Sequence, residues 1–172
     1  MNLLIIGNAI CFAGSVIMTL MGLIKNRRRF LAAQSCMNVF FIAGNLCLGG
    51  ISGAIANAVT MTRNLVCLKW NLNKVLKIFF ITVQILLSIC FGQTGIIALF
   101  PIIGACVFTW FMDTDNMVLL KAIIIGSQLL WLVYDISIRN YATVPFDIAT
   151  CITNAVALSI LIKEANKTSE ET

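Results

Sequence analysis

The sequence predicts an all-α integral membrane protein with seven transmembrane helices, and three observations carry that reading. Of the 172 residues, 60% are hydrophobic and only 11% are charged, whereas a soluble domain carries about 25% charged residues. The hydrophobic residues gather into runs close to the roughly 20 residues that a spanning helix needs. Polar residues inside those runs recur at a spacing of 90: Asn38, Asn45, Asn57, Thr60 and Asn64 are matched by Gln128, Asp135, Asp147, Thr150 and Asn154. The aromatic residue Phe41 is matched in the same way by Trp131. A repeat at that offset pairs the first three helices with the last three and leaves the fourth as a linker.

The first run, 2–24, ends on the basic cluster Lys25-Asn26-Arg27-Arg28-Arg29. No positive segment precedes it, so it reads as a mature helix and not as a signal peptide. The second run, 30–48, is closed by the Gly49-Gly50 turn, and the third, 51–68, by Asn71-Leu72-Asn73-Lys74. The fourth covers 75–91 and turns at Gln93-Thr94; the fifth covers 95–112 and ends on Asp113-Thr114-Asp115-Asn116. The sixth, 117–138, is followed by the longest outward loop, 139–144, and the seventh covers 145–162. The chain thus divides into a three-helix repeat (1–70), a linker helix (71–94), a second repeat (95–163) and a polar tail (164–172) expected to be disordered. Pro101 falls inside the fifth run as a candidate kink or hinge, and Pro145 reads as a helix start.

Charge gives the orientation. One set of loops and flanks holds Lys25, Arg27, Arg28, Arg29, Lys69, Lys74, Lys77, Lys163 and Lys167; the other holds Arg139 alone. Nine against one is a strong positive-inside signal. It predicts the N-terminus outside and the C-terminus in the cytoplasm. Arg63 and Lys121 remain inside runs, toward the cytoplasmic ends, where long side chains can snorkel. Each repeat contains an odd number of helices, so the linker returns the chain and the repeats run parallel, one of the repeat classes found in transporters.

Within the runs the polar residues form stripes. Asn57, Thr60, Met61 and Asn64 fall at i, i+3, i+4 and i+7, and Asp147, Thr150, Cys151 and Asn154 repeat the pattern, which places each set on one helix face. Asn38, Phe41 and Asn45 on the second run correspond to Gln128, Trp131 and Asp135 on the sixth, with Tyr134 beside them. Polar side chains are costly in hydrocarbon and face a cavity or a neighbouring helix. A cavity reading makes Asn64, Asn154, Trp131, Phe41, Gln128 and Asn38 the substrate-binding set: amides donate and accept, and aromatic faces stack on ring-like solutes. The alternative is interhelical glue, worth about 0.6 kcal/mol on average. Asp135 and Asp147 are the acidic residues of the membrane body. They serve either in coupling to a proton or cation, or structurally, through a pair with Arg139 or a cap on the seventh helix.

Other chemistries lack support in the sequence. Histidine, the usual general base at neutral pH, is absent. The seven cysteines form no CxxC pair and sit in or beside apolar runs, as small hydrophobic filler does. No metal-ligand spacing and no GxxxxGK loop occurs. The reading is therefore not an enzyme, with no cofactor, no metal and no nucleic-acid partner. Its partners are membrane lipids, a small polar solute and, as an option, a second copy of the chain.

The chain resembles the YgjV-type family of bacterial inner-membrane proteins over nearly its whole length. The likeness rests on the basic first loop, the Leu48-Gly49-Gly50 turn, the Arg63-Asn64 dipeptide and the Trp131-Leu132-Val133-Tyr134-Asp135 segment. That resemblance implies a multi-pass protein of the bacterial inner membrane. The three-plus-one-plus-three layout is also similar to that of the sugar-facilitator (SWEET), PQ-loop and nicotinamide-riboside (PnuC-type) transporters. The similarity implies substrate contacts from an Asn on the third helix of each repeat, here Asn64 and Asn154, and from aromatic residues on the second. No Pro-Gln dipeptide occurs, so the PQ-loop hinge is not carried over. The expected function is passage of a small polar solute (a sugar, nucleoside or vitamin-like molecule) by alternating access between two repeats. The alternative is a non-transporting scaffold or regulatory membrane protein.

Overall fold

A computed structural model describes the backbone of all residues except 1, 22, 23, 25, 71, 115, 171 and 172, and the side chains of those residues except 27 and 164–170. Lys25, Asn71, Asp115, the Arg27 and Lys167 side chains and the last two residues of the tail therefore lie outside the described residues. Among the described residues seven α-helices follow one another: α1 (Leu3–Met21), α2 (Arg27–Cys47), α3 (Ile51–Cys67), α4 (Lys74–Phe91), α5 (Phe100–Phe111), α6 (Met117–Ser137) and α7 (Val144–Glu170). No strand occurs among the described residues. Five helices (α1, α2, α4, α6 and α7) are long and apolar enough to cross a membrane. α3 has 17 residues, about 25 Å at 1.5 Å per residue, and carries Arg63. α5 with its 3₁₀ entry spans Ile97–Phe111.

The helix ends follow from local chemistry. Asn26, Asn73 and Asn116 cap α2, α4 and α6: each side-chain oxygen accepts from a backbone N–H three residues on, at 3.2, 2.8 and 3.0 Å, satisfying a donor that the first turn leaves unpaired. Pro101 is a correction to the sequence reading. It stands in the first turn of α5, just after the 3₁₀ turn Ile97–Leu99, where its missing N–H costs nothing. It therefore starts a helix and does not kink one. α7 continues to Glu170, past the boundary read at 162.

Several of these features recur 90 residues apart. α2 and α6 both have 21 residues, bounded at 27–47 and 117–137. Their caps are Asn26 and Asn116. The turns that follow them place Gly49 at φ 75° and Arg139 at φ 62°. In both turns the next residue, Gly50 or Asn140, donates its N–H to the carbonyl five residues back, at Asn45 or Asp135. α2 packs against both α1 and α3, α6 packs against both α5 and α7, and α4 bridges α3 to α5. Short turns reverse each helix, so the start of α1, the end of α2 and the end of α6 share what we call the upper end.

Small residues set the helix spacing in the first half. A Cβ at Gly7 would lie 2.7 Å from the Leu48 side chain, and one at Gly14 would lie 3.0 Å from the Phe41 ring. Without a hydrophobic drive between helices in lipid, such close backbone approach supplies the packing. Cys11, Met21, Met37 and Phe41 fill that α1–α2 joint. A second cluster, Leu31, Val59, Cys67, Leu72 and Phe80, ties α2, α3 and α4 together toward the lower end.

Candidate functional site

A seam of polar contacts joins the first three helices to the last three. At its upper end Tyr134 reaches from α6 to α3. Its hydroxyl accepts from the Gly53 N–H at 2.8 Å and donates to Gln93 Oε1 at 3.0 Å, while the Gln93 N–H donates to Ser52 Oγ at 2.9 Å. Gly53 leaves room for this contact, since a Cβ there would sit 2.6 Å from Tyr134 Cε1. Asn8 of α1 joins the second half too. Its amide donates to the Arg139 carbonyl and accepts from the Ala142 N–H, both at 2.9 Å. Above these contacts lies a recess of about 430 Å³, lined by Asn2, Leu4, Cys47 and Leu48 of one half, Ser137, Ile138 and Arg139 of the other, and Gln93 between them.

The lower end is closed. Arg63, only 1% exposed, lies between α3 and α5. Its Nη1 donates to Thr109 Oγ1 at 2.6 Å and its Nη2 to Asn64 Oδ1 at 3.1 Å; Asn64 Nδ2 donates in turn to Gln34 Oε1 at 2.9 Å. Lys77 of α4 forms an ion pair with Asp113 and donates to the Trp110 carbonyl at 2.9 Å. Lys121 Nζ donates to Asn154 Oδ1 at 3.0 Å. The sequence reading sends Arg63 and Lys121 snorkelling to the surface. Instead, Arg63 ends inside the protein on hydroxyl and amide oxygens, and Lys121 ends on a helix neighbour.

A third group surrounds the carboxylates. Asp135 and Asp147 are 4% and 1% exposed, and their carboxyls lie within hydrogen-bonding reach of each other. Gln128 Nε2 donates to Asp147 Oδ1 at 2.5 Å, and Asn140 Nδ2 to Asp135 Oδ1 at 3.1 Å. Cys11 of α1 lies beside Asn140 and Thr143. Both structural roles expected for the carboxylates fail. Among the described residues the one ion pair is Lys77 with Asp113, so neither aspartate pairs with the exposed Arg139. Asp147 also falls within the first turn of α7, which starts at Val144, and its side chain turns to α6 instead of capping.

The six residues read as substrate-binding are thus scattered, and the side-chain partners they have lie within their own halves. Asn64 lies in the lower closure with Gln34 and Arg63, and Asn154 lies with Lys121. Gln128 lies with the carboxylates. Phe41 packs on Gly14, while Trp131 packs 3.5 Å from the position of a Cβ on Gly104 and edge-on to Tyr134. The two aromatic rings therefore rest on corresponding glycines of α1 and α5 and do not meet. Asn38 is buried with its Nδ2 unpartnered. Buried atoms without partners are uncommon in folded proteins. Here they include Asn45 Oδ1, Arg63 Nε, Gln84 Oε1, Asn140 Oδ1, Thr143 Oγ1 and Asp147 Oδ2. Sequence reasoning misses Cys11, Gln93, Asn140 and Thr143. The last two lie in a stretch that reads only as a loop, and Cys11 looks like any apolar helix position.

The chain belongs to the YgjV-type bacterial inner membrane protein family (Imp-YgjV), whose model matches residues 5–165. No curated protein and no solved structure matches the chain.

Proposed function

We propose that this inner-membrane protein carries a small polar solute across the membrane, the two halves rocking about the seam between them. The observation that carries the reading is a recess shared by both halves at the upper end, with the halves joined beneath it by the Tyr134 and Asn8 contacts and, at the lower end, by Arg63 on Thr109. A carrier caught open to one side has this form. The features that recur at offset 90 support two parallel three-helix repeats, 1–70 and 95–163, with α4 as linker. The charge bias of the sequence puts the upper end, and the N-terminus, outside the cell.

In this reading the solute enters the recess past Gln93 and is passed to the amides of Asn38, Gln128, Asn64 and Asn154 when the lower closure parts. Sugars, nucleosides and vitamin-like molecules match a wall of amides and aromatic edges. The test is a thermal-stability screen of the purified protein against those classes. A solute at about 100 times its Kd stabilises the folded state by roughly 2.7 kcal/mol. Uptake into liposomes of the solute so found, lost in the Asn64→Ala/Asn154→Ala variant while the fold is kept, supports the carrier. Uptake unchanged in that variant removes both residues from the site.

One observation favours a second reading, a non-transporting scaffold or regulatory protein. Asn64, Asn154 and Gln128 all have side-chain partners within the protein, as interhelical glue does. A scaffold gives neither a ligand-dependent shift nor uptake.

A further inference from the structure

The two buried carboxyls are the least explained chemistry in the molecule. Asp135 comes from the last turn of α6 and Asp147 from the first turn of α7, and they approach within hydrogen-bonding reach. Ionised carboxylates only accept hydrogen bonds. Two of them at that separation, shielded from water, repel strongly and gain nothing from each other. Every titratable or charged group near them is accounted for. Cys11 faces them from α1, with Cys47 of α2 behind it; Tyr134 flanks Asp135 on α6 and Cys151 lies one turn beyond Asp147 on α7. Thiols and a phenol supply no positive charge. Arg139 is exposed and forms no ion pair among the described residues, and Lys121 is bound to Asn154.

The surrounding side chains are also incomplete. Asn140, 1% exposed, gives its amide N–H to Asp135 and leaves Oδ1 unpartnered; Thr143 faces the Cys11 thiol; Asp147 Oδ2 has no donor. Two carboxyls within hydrogen-bonding reach thus have no cation among the groups around them. Asp135 and Asp147 line neither the upper recess nor the pocket beside Arg63 and Thr109, and a solute or hydrated ion needs such a space. A proton needs none.

We propose that Asp135 and Asp147 hold one exchangeable proton between them, making the corner of α6 and α7 a proton-binding site. The proton turns the contact between two acceptors into a donor–acceptor bond and leaves a single negative charge, which the Gln128 and Asn140 amides solvate. It belongs to the pair and not to either residue. Its release to water leaves two carboxylates in contact. Their repulsion acts on the corner that Asn8 of α1 clasps, so proton occupancy bears on how firmly the two halves are joined. This inference does not depend on solute transport.

Infrared spectroscopy of the purified protein in lipid nanodiscs, titrated with pH in potassium and in sodium buffers, tests it. The carbon-13-labelled band of the four aspartates, fully protonated in strong acid, calibrates the intensity of one carboxyl. The expected result at neutral pH is a band worth one carboxyl that moves on carbon-13 labelling of aspartate, disappears in alkali and is indifferent to sodium. The Asp135→Asn/Asp147→Asn variant should lack it. The aspartate label identifies the band in the unmutated protein should that variant fail to fold. No band at neutral pH, a band worth two carboxyls, or a band abolished by sodium at fixed pH would each overturn the proposal; the last would assign a cation site instead.

Discussion

α2 and α6 share a cap, a following turn and a place between two neighbours, yet the halves they belong to are packed very differently. In the most apolar stretch of α2, 39% of the residues are buried within the protein; in the corresponding stretch of α6 the share is 6%, and in α7 it is again 6%. Glycines explain much of the contrast. Gly7, Gly14 and Gly44 draw α1 and α2 together until any added Cβ would collide with a neighbour, whereas Gly104 has ordinary clearance and Gly126 meets nothing within 4 Å. The lesson is that a repeated polar pattern does not require a repeated packing density. The first half is a tight frame. The second presents its apolar residues outward and holds its buried polar groups, Tyr134, Asp135 and Asp147, on the side facing the first. In the carrier proposed above, the second half would move against this frame.

Substitutions that exploit this contrast give the sharpest checks. Gly44→Leu should produce the largest effect, because its side chain would enter the space of Cys11 and the Gly7 carbonyl. Overpacking of that kind typically costs about 1–3 kcal/mol and at times more, while Gly126→Leu in the second half should be close to neutral. Parallel thermal denaturation in one detergent compares them, and equal losses would remove the frame from the account. Tyr134→Phe comes next. It strips a donor from Gln93 and an acceptor from Gly53, at about 1–3 kcal/mol for buried groups left unmet, and should speed hydrogen exchange at the Gly53 amide.

The pair Gly14→Ala and Gly104→Ala is a finer version of the same contrast. The first methyl would stand 3.0 Å from the Phe41 ring and the second 3.5 Å from Trp131 Nε1. The first should destabilise. The second should stabilise by roughly 0.5–1 kcal/mol, the helix preference for Ala over Gly. Denaturation midpoints of the opposite order would contradict the packing described. The smallest effect concerns Arg139, which holds φ 62° where its counterpart Gly49 holds φ 75°. A non-glycine residue in that region costs on the order of 1–2 kcal/mol. Arg139→Gly should recover about 1 kcal/mol or less, net of the greater freedom of the unfolded chain.

Much of the helix plan is readable from the sequence. Apolar runs and their polar breaks locate the seven helices, because hydrocarbon tolerates few polar groups and the breaks must fall at its edges; the bounds agree to within five residues except at the end of α7, which runs eight residues past the reading. The cap at Asn116 lies in a turn already marked by its polarity. The placement of side chains is less legible. Arg63 sits one residue from Asn64, but only the approach of α5 makes Thr109 its partner. Phe41 and Trp131 fall on the predicted polar faces yet turn onto α1 and α5, since a large ring fills the gap over a glycine. Asn140 and Thr143 gain meaning only when the α6–α7 turn folds back over the carboxylates, a contact that no spacing along one helix reveals.

The central claim is that the recess at the upper end opens to the outside while the contacts between the halves beneath it are shut. Cys47 lines the recess and is a natural reporter for it. With the other six cysteines replaced, Cys47 in intact cells should react with a membrane-impermeant maleimide added from outside. A single cysteine placed at Asn64 or Thr109 in a protein lacking the native seven should stay protected under the same conditions. Protection of Cys47 from both sides of the membrane, or labelling of the lower positions as fast as Cys47, would contradict the account.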